Sequence, residues 1–96
     1  MKNIRFEWDQ KKNLANIKKH KISFEEACIV FYDENARLIT DNEHSISEER
    51  FIILGLTNTL KLLVVVHTYR EIDEIIRIIS ARKATKLESK YYYGVK

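Results

Sequence analysis

Apolar and polar positions in the first part of the chain are spaced as in a helix. Residues 10–20 read QKKNLANIKKH and follow Asp9, a residue type that caps helix N-termini. Leu14 and Ile17 lie three residues apart among lysines, which is typical of an amphipathic helix. The pattern predicts a helix over these residues whose Leu14 and Ile17 form the apolar stripe.

Two capping-box patterns predict the starts of two further helices. The sequence SFEE (23–26) places a serine three residues before a glutamate, and apolar residues at helical spacing continue to Phe31 or Tyr32. The sequence TKLE (85–88) repeats the arrangement and opens a terminal helix towards Tyr93. The tyrosines at 91–93 are interpreted as packing or partner contacts rather than as a base-stacking surface.

The residues between these helices alternate or run apolar over lengths typical of strands. The predicted strands are ARLIT (36–40), RFIILGL (50–56), LKLLVVVHTYR (60–70) and EIIRIISAR (74–82). A turn at Asn58–Thr59 makes the middle two a hairpin, and FEW (6–8) is extended. The prediction is one α+β domain over 1–96, with two N-terminal helices, a three- to four-stranded antiparallel sheet, and a C-terminal helix. We expect the helices to cover one sheet face.

Arginines interrupt the most apolar strands. A turn over 71–74 pairs the last two strands so that Thr68, Arg70 and Arg77 share one sheet face, because side chains alternate along a strand. Strict alternation places Arg82 on the opposite face from Arg77. Guanidinium groups fixed near strand ends suit a phosphate site. The alternative is that they form ion pairs with the nearby acidic residues Glu49, Glu71, Asp73 and Glu74.

Charge is unevenly distributed along the chain. Residues 1–21 carry seven Lys or Arg and two acidic residues, residues 22–81 carry five and eleven, and residues 82–96 carry five and one. Basic ends favour a nucleic-acid partner, although lysines also serve solubility, and an acidic middle suits a basic protein partner. No apolar run is long enough to span a bilayer. We expect no membrane partner and, with one cysteine and no secretory signal, a cytoplasmic location.

Five motifs together resemble the BrnT family of toxins from bacterial type II toxin–antitoxin systems. They are FEWD, SFEEA, HSISEER, LLVVVHTYR and RIISARKAT, and the resemblance runs from about Phe6 to Tyr91. The sequence departs from the family pattern at Gln10, where proline is usual, and at IDE (72–74), which replaces a short glycine-containing turn.

The resemblance implies an RNA-cleaving toxin with a RelE-like fold. It also implies a BrnA-like antitoxin of the ribbon-helix-helix class. We expect a 2:2 toxin–antitoxin complex that contacts operator DNA only through the antitoxin.

Metal-free RNA cleavage requires groups that transfer protons and groups that stabilise charge on the phosphate. The candidate catalytic residues combine charge stabilisers with proton carriers: Arg50, Arg70, Arg77 and Arg82, with His67 or Glu49 as acid or base. His44 is a further candidate, whereas His20 is interpreted as a helix C-terminal cap. Lys12, Lys19 and Lys83 are predicted to bind substrate, and no metal or cofactor is expected. The alternative is a non-catalytic nucleic-acid-binding or protein-interaction module.

Overall fold

The computed structural model describes residues 4–41, 49–70 and 74–94. The strands are β1 (Arg5–Glu7), β2 (Arg37–Asp41), β3 (Arg50–Leu56), β4 (Leu62–Arg70) and β5 (Ile75–Lys83), and the helices are α1 (Gln10–His20), α2 (Phe24–Cys28) and α3 (Lys86–Tyr93). A 3₁₀ turn over Ile29–Tyr32 continues α2, so the second predicted helix ends where expected but tightens in its last turn. Within these residues no helix is both long and apolar enough to cross a bilayer.

The sheet has five strands in the order β1-β5-β4-β3-β2. Strands β2 to β5 form the predicted antiparallel meander. The prediction of three or four antiparallel strands was incomplete, because β1 adds to the edge of β5 in parallel. A three-residue strand is too short to show a reliable alternation pattern, and its pairing spans about 70 residues of chain. The sheet is therefore mixed.

Helix α1 begins as predicted but buries a different face from the predicted one. Asp9 caps it by accepting hydrogen bonds from the backbone of the first turn. Leu14 is 58 % exposed, whereas Asn13 and Asn16 are buried. The Asn16 amide donates to the carbonyls of Ile22 and Ala81 at 2.8 Å and accepts from the Ala81 N–H at 3.1 Å. The helix thus satisfies backbone groups in the part of β5 that extends beyond its pairing with β1, a task that apolar side chains cannot perform.

The two predicted capping boxes form to different extents. Thr85 and Glu88 make both hydrogen bonds of the motif at the start of α3. At α2, Ser23 accepts from the Glu26 N–H at 3.0 Å, but the Glu26 carboxylate pairs with Lys61 at 2.9 Å. In the SFEE motif the Glu26 carboxylate therefore binds the Lys61 ammonium group.

The two sheet faces are covered differently. One face packs on α2 and the adjoining turns, forming a core of ten buried residues: Ile22, Phe24, Ala27, Val30, Ile53, Leu63, Val65, Ile76, Ile78 and Ala81. Helix α3 packs on the opposite face through Tyr92, which contacts Leu54 and Val64 in a smaller cluster. The expectation that all helices cover one face was therefore wrong. Helix α3 leaves much of the sheet face on which it packs uncovered.

Candidate active site

Thr68, Arg70 and Arg77 share the sheet face opposite the main core. Thr68 pairs with Arg77 and Arg70 with Ile75, as the sequence predicts for this turn. The neighbouring residue His67 pairs with Ile78 on the core side. The turn residues 71–73 themselves lie outside the described part of the chain.

A bulge brings Arg82 to the same face. Val66 pairs with Ser80 but His67 pairs with Ile78, so Ile79 is an extra residue in β5. Beyond it the alternation is inverted, and Arg82 pairs with Val64. The prediction that Arg82 lies opposite to Arg77 was wrong, because strict alternation does not allow for a bulge. We call the sheet face that carries Arg50, Arg70, Arg77 and Arg82 the arginine face.

Glu7 organises the centre of the arginine face, and sequence reasoning missed it. The parallel pairing of β1 sets Glu7 beside Arg77. Its Oε2 atom accepts from Arg77 Nη1 at 2.8 Å and lies 3.2 Å from Arg70 Nε. The side chains of Glu7, Arg70 and Arg77 are 34 %, 53 % and 31 % exposed, so all three remain accessible to a ligand. The sequence FEW indicated an extended segment here but not the strand with which it pairs.

Arg82 is held by a different carboxylate. Its Nη1 and Nη2 atoms donate to the two oxygens of Glu88 at 2.8 and 2.9 Å. The hydrogen bond from Arg82 lowers the pKa of Glu88 to about 2, and the same bond raises the pKa of Arg82. The pair joins α3 to β5. A phosphate can bind the fork of Arg82 only by displacing Glu88.

Glu49 and Arg50 lie at the start of β3. The Thr68 hydroxyl donates to the backbone carbonyl of exposed Glu49 at 2.7 Å. Because Phe51 pairs with His67, the next position places half-buried Arg50 opposite Thr68, on the arginine face. The structure therefore brings both residues to the strand next to Arg70, which belongs to the cluster of Glu7, Arg70 and Arg77.

His67 lies within the main core. Its ring is fully buried, and its Nδ1 atom lies 3.3 Å from the Val65 carbonyl. Burial lowers the pKa of His67 to about 4. The structure thus separates His67 from the arginine face. The further candidate His44 lies outside the described residues.

The three candidate substrate lysines do not join this cluster. Lys12 and Lys19 are exposed on α1, which packs along β5 and the start of α2. Lys83 ends β5 and pairs with Leu63, which places it on the core side of the sheet. Their predicted role in binding substrate remains a prediction. In the described residues, His, Cys, Asp and Glu form no group of three or more that suits a metal ion.

Comparisons with known proteins identify both the fold and the family of the chain. The crystal structure of the Brucella abortus ribonuclease toxin BrnT, at 1.1 Å resolution, superimposes with a TM-score of 0.66 at 22 % sequence identity. The match covers 88 % of this chain and all of that one. No curated protein sequence matches the chain. Residues 8–88 match the family model described as the ribonuclease toxin BrnT of type II toxin–antitoxin systems, and the chain belongs to this family.

Proposed function

We propose that this toxin is an endoribonuclease that cleaves RNA without a metal ion on the arginine face. The observation that carries the proposal is the accessible cluster in which Glu7 holds Arg70 and Arg77. Fixed guanidinium groups stabilise charge that develops on a phosphate, because they are already oriented before the reaction begins. A single carboxylate that fixes two arginines supplies this orientation.

The reaction requires the ribose 2′-OH to attack the adjacent phosphorus. The new O2′–P bond forms as the P–O5′ bond breaks, the 2′-OH proton passes to a base, and the leaving oxygen gains a proton. Arg77 and Arg70 would bind the non-bridging phosphate oxygens, with Arg50 at the flank. Among the residues that the structure describes, Glu7 is a carboxylate that contacts both arginines, and we assign it the role of base.

Glu49 is the competing base. It is exposed beside Thr68, one strand away from the Glu7 cluster. His67 would have to leave the core to reach a substrate, so proton transfer by a carboxylate requires the smaller rearrangement. Matched variants Glu7→Gln and Glu49→Gln decide between the two carboxylates when the cleavage rate is followed against pH. Loss of the base changes the shape of the pH–rate profile, whereas loss of the ion pairs of Glu7 alone lowers the rate and leaves the shape unchanged.

The test is cleavage of labelled RNA by purified toxin in the presence of a chelator. Arg77→Ala should lower the rate by roughly 10²–10³, by analogy with the loss of one transition-state donor. Lys18→Ala is the control, because Lys18 is an exposed cation on α1 and not on the arginine face. Circular dichroism should show that both variants are folded. Full activity of Arg77→Ala, or complete loss of activity on chelation, would refute the proposal.

We also propose that the toxin arrests translation in the cytoplasm by cleaving messenger RNA, and that a ribbon-helix-helix antitoxin neutralises it in a 2:2 complex. Membership of a type II family supports the existence of an antitoxin. Light scattering on the co-expressed complex should give the mass of two copies of each protein. Elution as separate monomers at micromolar concentration would contradict this assembly.

A further inference from the structure

A groove lies on the arginine face between α3 and the sheet. Its volume is about 580 Å³. Six apolar side chains from β2, β3, β4 and α3 line it: Ile39, Ile52, Leu54, Val64, Leu87 and Tyr91. The groove arises because α3 contacts the sheet through buried Tyr92 at its C-terminal end, while its N-terminal half is held by the Arg82–Glu88 pair.

The groove leaves large apolar side chains in water. Leu87 is 77 % exposed, Tyr91 is 51 % exposed, and Ile39 is 40 % exposed. Single exposed apolar residues are common, but these three face one concavity. Contiguous apolar surface of this kind typically marks a binding site.

The charges around the groove are mainly basic. Lys90 lines it, and Lys86 is exposed on the same helix. The Arg37 guanidinium lies 4.8 Å from the centre of the Tyr91 ring. Among the described residues that line the groove, the acidic one is Glu88, and it is already paired with Arg82. An occupant that combines apolar side chains with carboxylates would therefore complement both the apolar lining of the groove and the basic residues around it.

We infer that the groove is the docking site for an acidic amphipathic segment of the antitoxin. The inference rests on the proposed pairing with an antitoxin. Apolar side chains of the segment would pack on Leu87, Tyr91 and Val64, and its carboxylates would meet Lys86 and Lys90. RNA is a poorer occupant, because six aliphatic or aromatic side chains offer few hydrogen-bond donors or acceptors to base edges.

The position of the groove also explains how docking would inhibit the toxin. Val64 forms part of its floor and pairs with Arg82, and the same face of β4 continues through Val66 to Thr68 and Arg70. A segment that leaves the groove along β4 therefore crosses the arginine face. Antitoxin and RNA would exclude one another.

The experiment compares variants of Leu87 with a matched variant elsewhere. Leu87→Glu replaces an exposed helical leucine with a residue of high helix propensity, so the fold should tolerate it. Leu14→Glu is the control, because Leu14 is also an exposed leucine within a helix, but on α1. Leu87→Lys removes the same apolar side chain and adds a positive charge. Binding is measured by calorimetry with the full-length antitoxin encoded beside the toxin, and cleavage is measured on the same preparations.

Leu87→Glu should weaken antitoxin binding about 10–100-fold, the effect expected from losing one buried leucine. Leu87→Lys should weaken it less, because the acidic segment tolerates a cation. Leu14→Glu should bind within about threefold of the wild type, since exposed substitutions away from an interface have small effects. The Leu87→Glu toxin should cleave RNA normally but escape neutralisation at equimolar antitoxin.

Two results would overturn the inference. Unchanged antitoxin binding by Leu87→Glu, whatever Leu14→Glu does, would exclude the groove as the docking site. Loss of RNA cleavage by Leu87→Glu with intact antitoxin binding would assign the groove to RNA instead. Because binding is measured without RNA, an inactive wild-type toxin would refute the proposed ribonuclease function and leave the docking result interpretable.

Discussion

The buried ring of His67 predicts that the toxin loses stability in mild acid. The ring centre lies 4.7 Å from that of Phe31, 6.1 Å from that of Phe51 and 5.3 Å from that of Tyr69. Its Nδ1 faces the Val65 carbonyl, which can only accept, so the neutral ring carries its proton on Nδ1. Among the described residues Nε2 has no hydrogen-bond partner. A proton added to Nε2 would create a buried positive charge without a hydrogen-bond acceptor among the described residues.

The size of the effect follows from the two pKa values. Burial lowers the pKa of His67 from 6.5 to about 4 in the folded protein. At pH 7.5 and above the ring is neutral in both states, and its titration does not affect stability. As the pH falls from 6.5 to 4, the unfolded chain binds a proton that the folded chain does not, so the free energy of unfolding decreases. This linkage amounts to about 3 kcal/mol when complete, and most of it is reached by pH 4.5.

Urea denaturation between pH 7.5 and pH 4.5 measures this decrease in the wild type and in His67→Phe. The aromatic neighbours of His67 suit a phenyl ring, which cannot titrate. The pKa of Glu88 falls from 4.5 to about 2 on folding, so most of its contribution to stability is lost below pH 4.5, and any loss above that pH is common to both proteins. We expect the wild type to lose about 2–3 kcal/mol more than the variant. Equal losses in the two proteins would refute the reasoning, and a folded but inactive variant would restore His67 as a catalytic candidate.

Two further predictions concern stability, and both are measured by chemical denaturation. Asn16→Ala should cost about 2–4 kcal/mol, because it leaves the buried N–H and C=O of Ala81 without partners, whereas exposed Lys18→Ala should stay within about 0.5 kcal/mol of the wild type. Gly55→Ala should cost about 1–3 kcal/mol, because its Cβ would lie 3.0 Å from the Val30 Cβ and 3.1 Å from the Val30 carbonyl oxygen. A neutral result for either variant would show that the chain relaxes around the change.

Features set by neighbouring residues could be predicted from the sequence. The caps at Asp9 and Thr85 depend on backbone groups within one helical turn, and the turn at 58–59 depends on local backbone preferences. The pairing of Thr68 with Arg77 followed from counting residues through one turn. In each case the interacting groups are close in sequence, so a short motif contains the required information.

Features set by distant residues could not be predicted in this way. Glu7 reaches Arg77 through a parallel pairing between residues 70 positions apart, and no local pattern encodes that pairing. The exposure of Leu14 follows from the need of β5 for the Asn16 amide, which is likewise remote in sequence. Apolar periodicity alone therefore assigned the wrong face of α1 to the core.

The bulge at Ile79 shows how a backbone irregularity determines the chemistry of the sheet. With strict alternation, Arg82 would share a face with Ile78 and point into the core, where an unpaired guanidinium is strongly unfavourable. The extra residue instead places Ile78 and Ala81 on the core side. It also turns Arg82 outward to meet Glu88. The apolar residues Ile78 and Ala81 of IIRIISAR can therefore both face the core only if the strand contains a bulge. The same bulge places Arg77 and Arg82 on one face of the sheet.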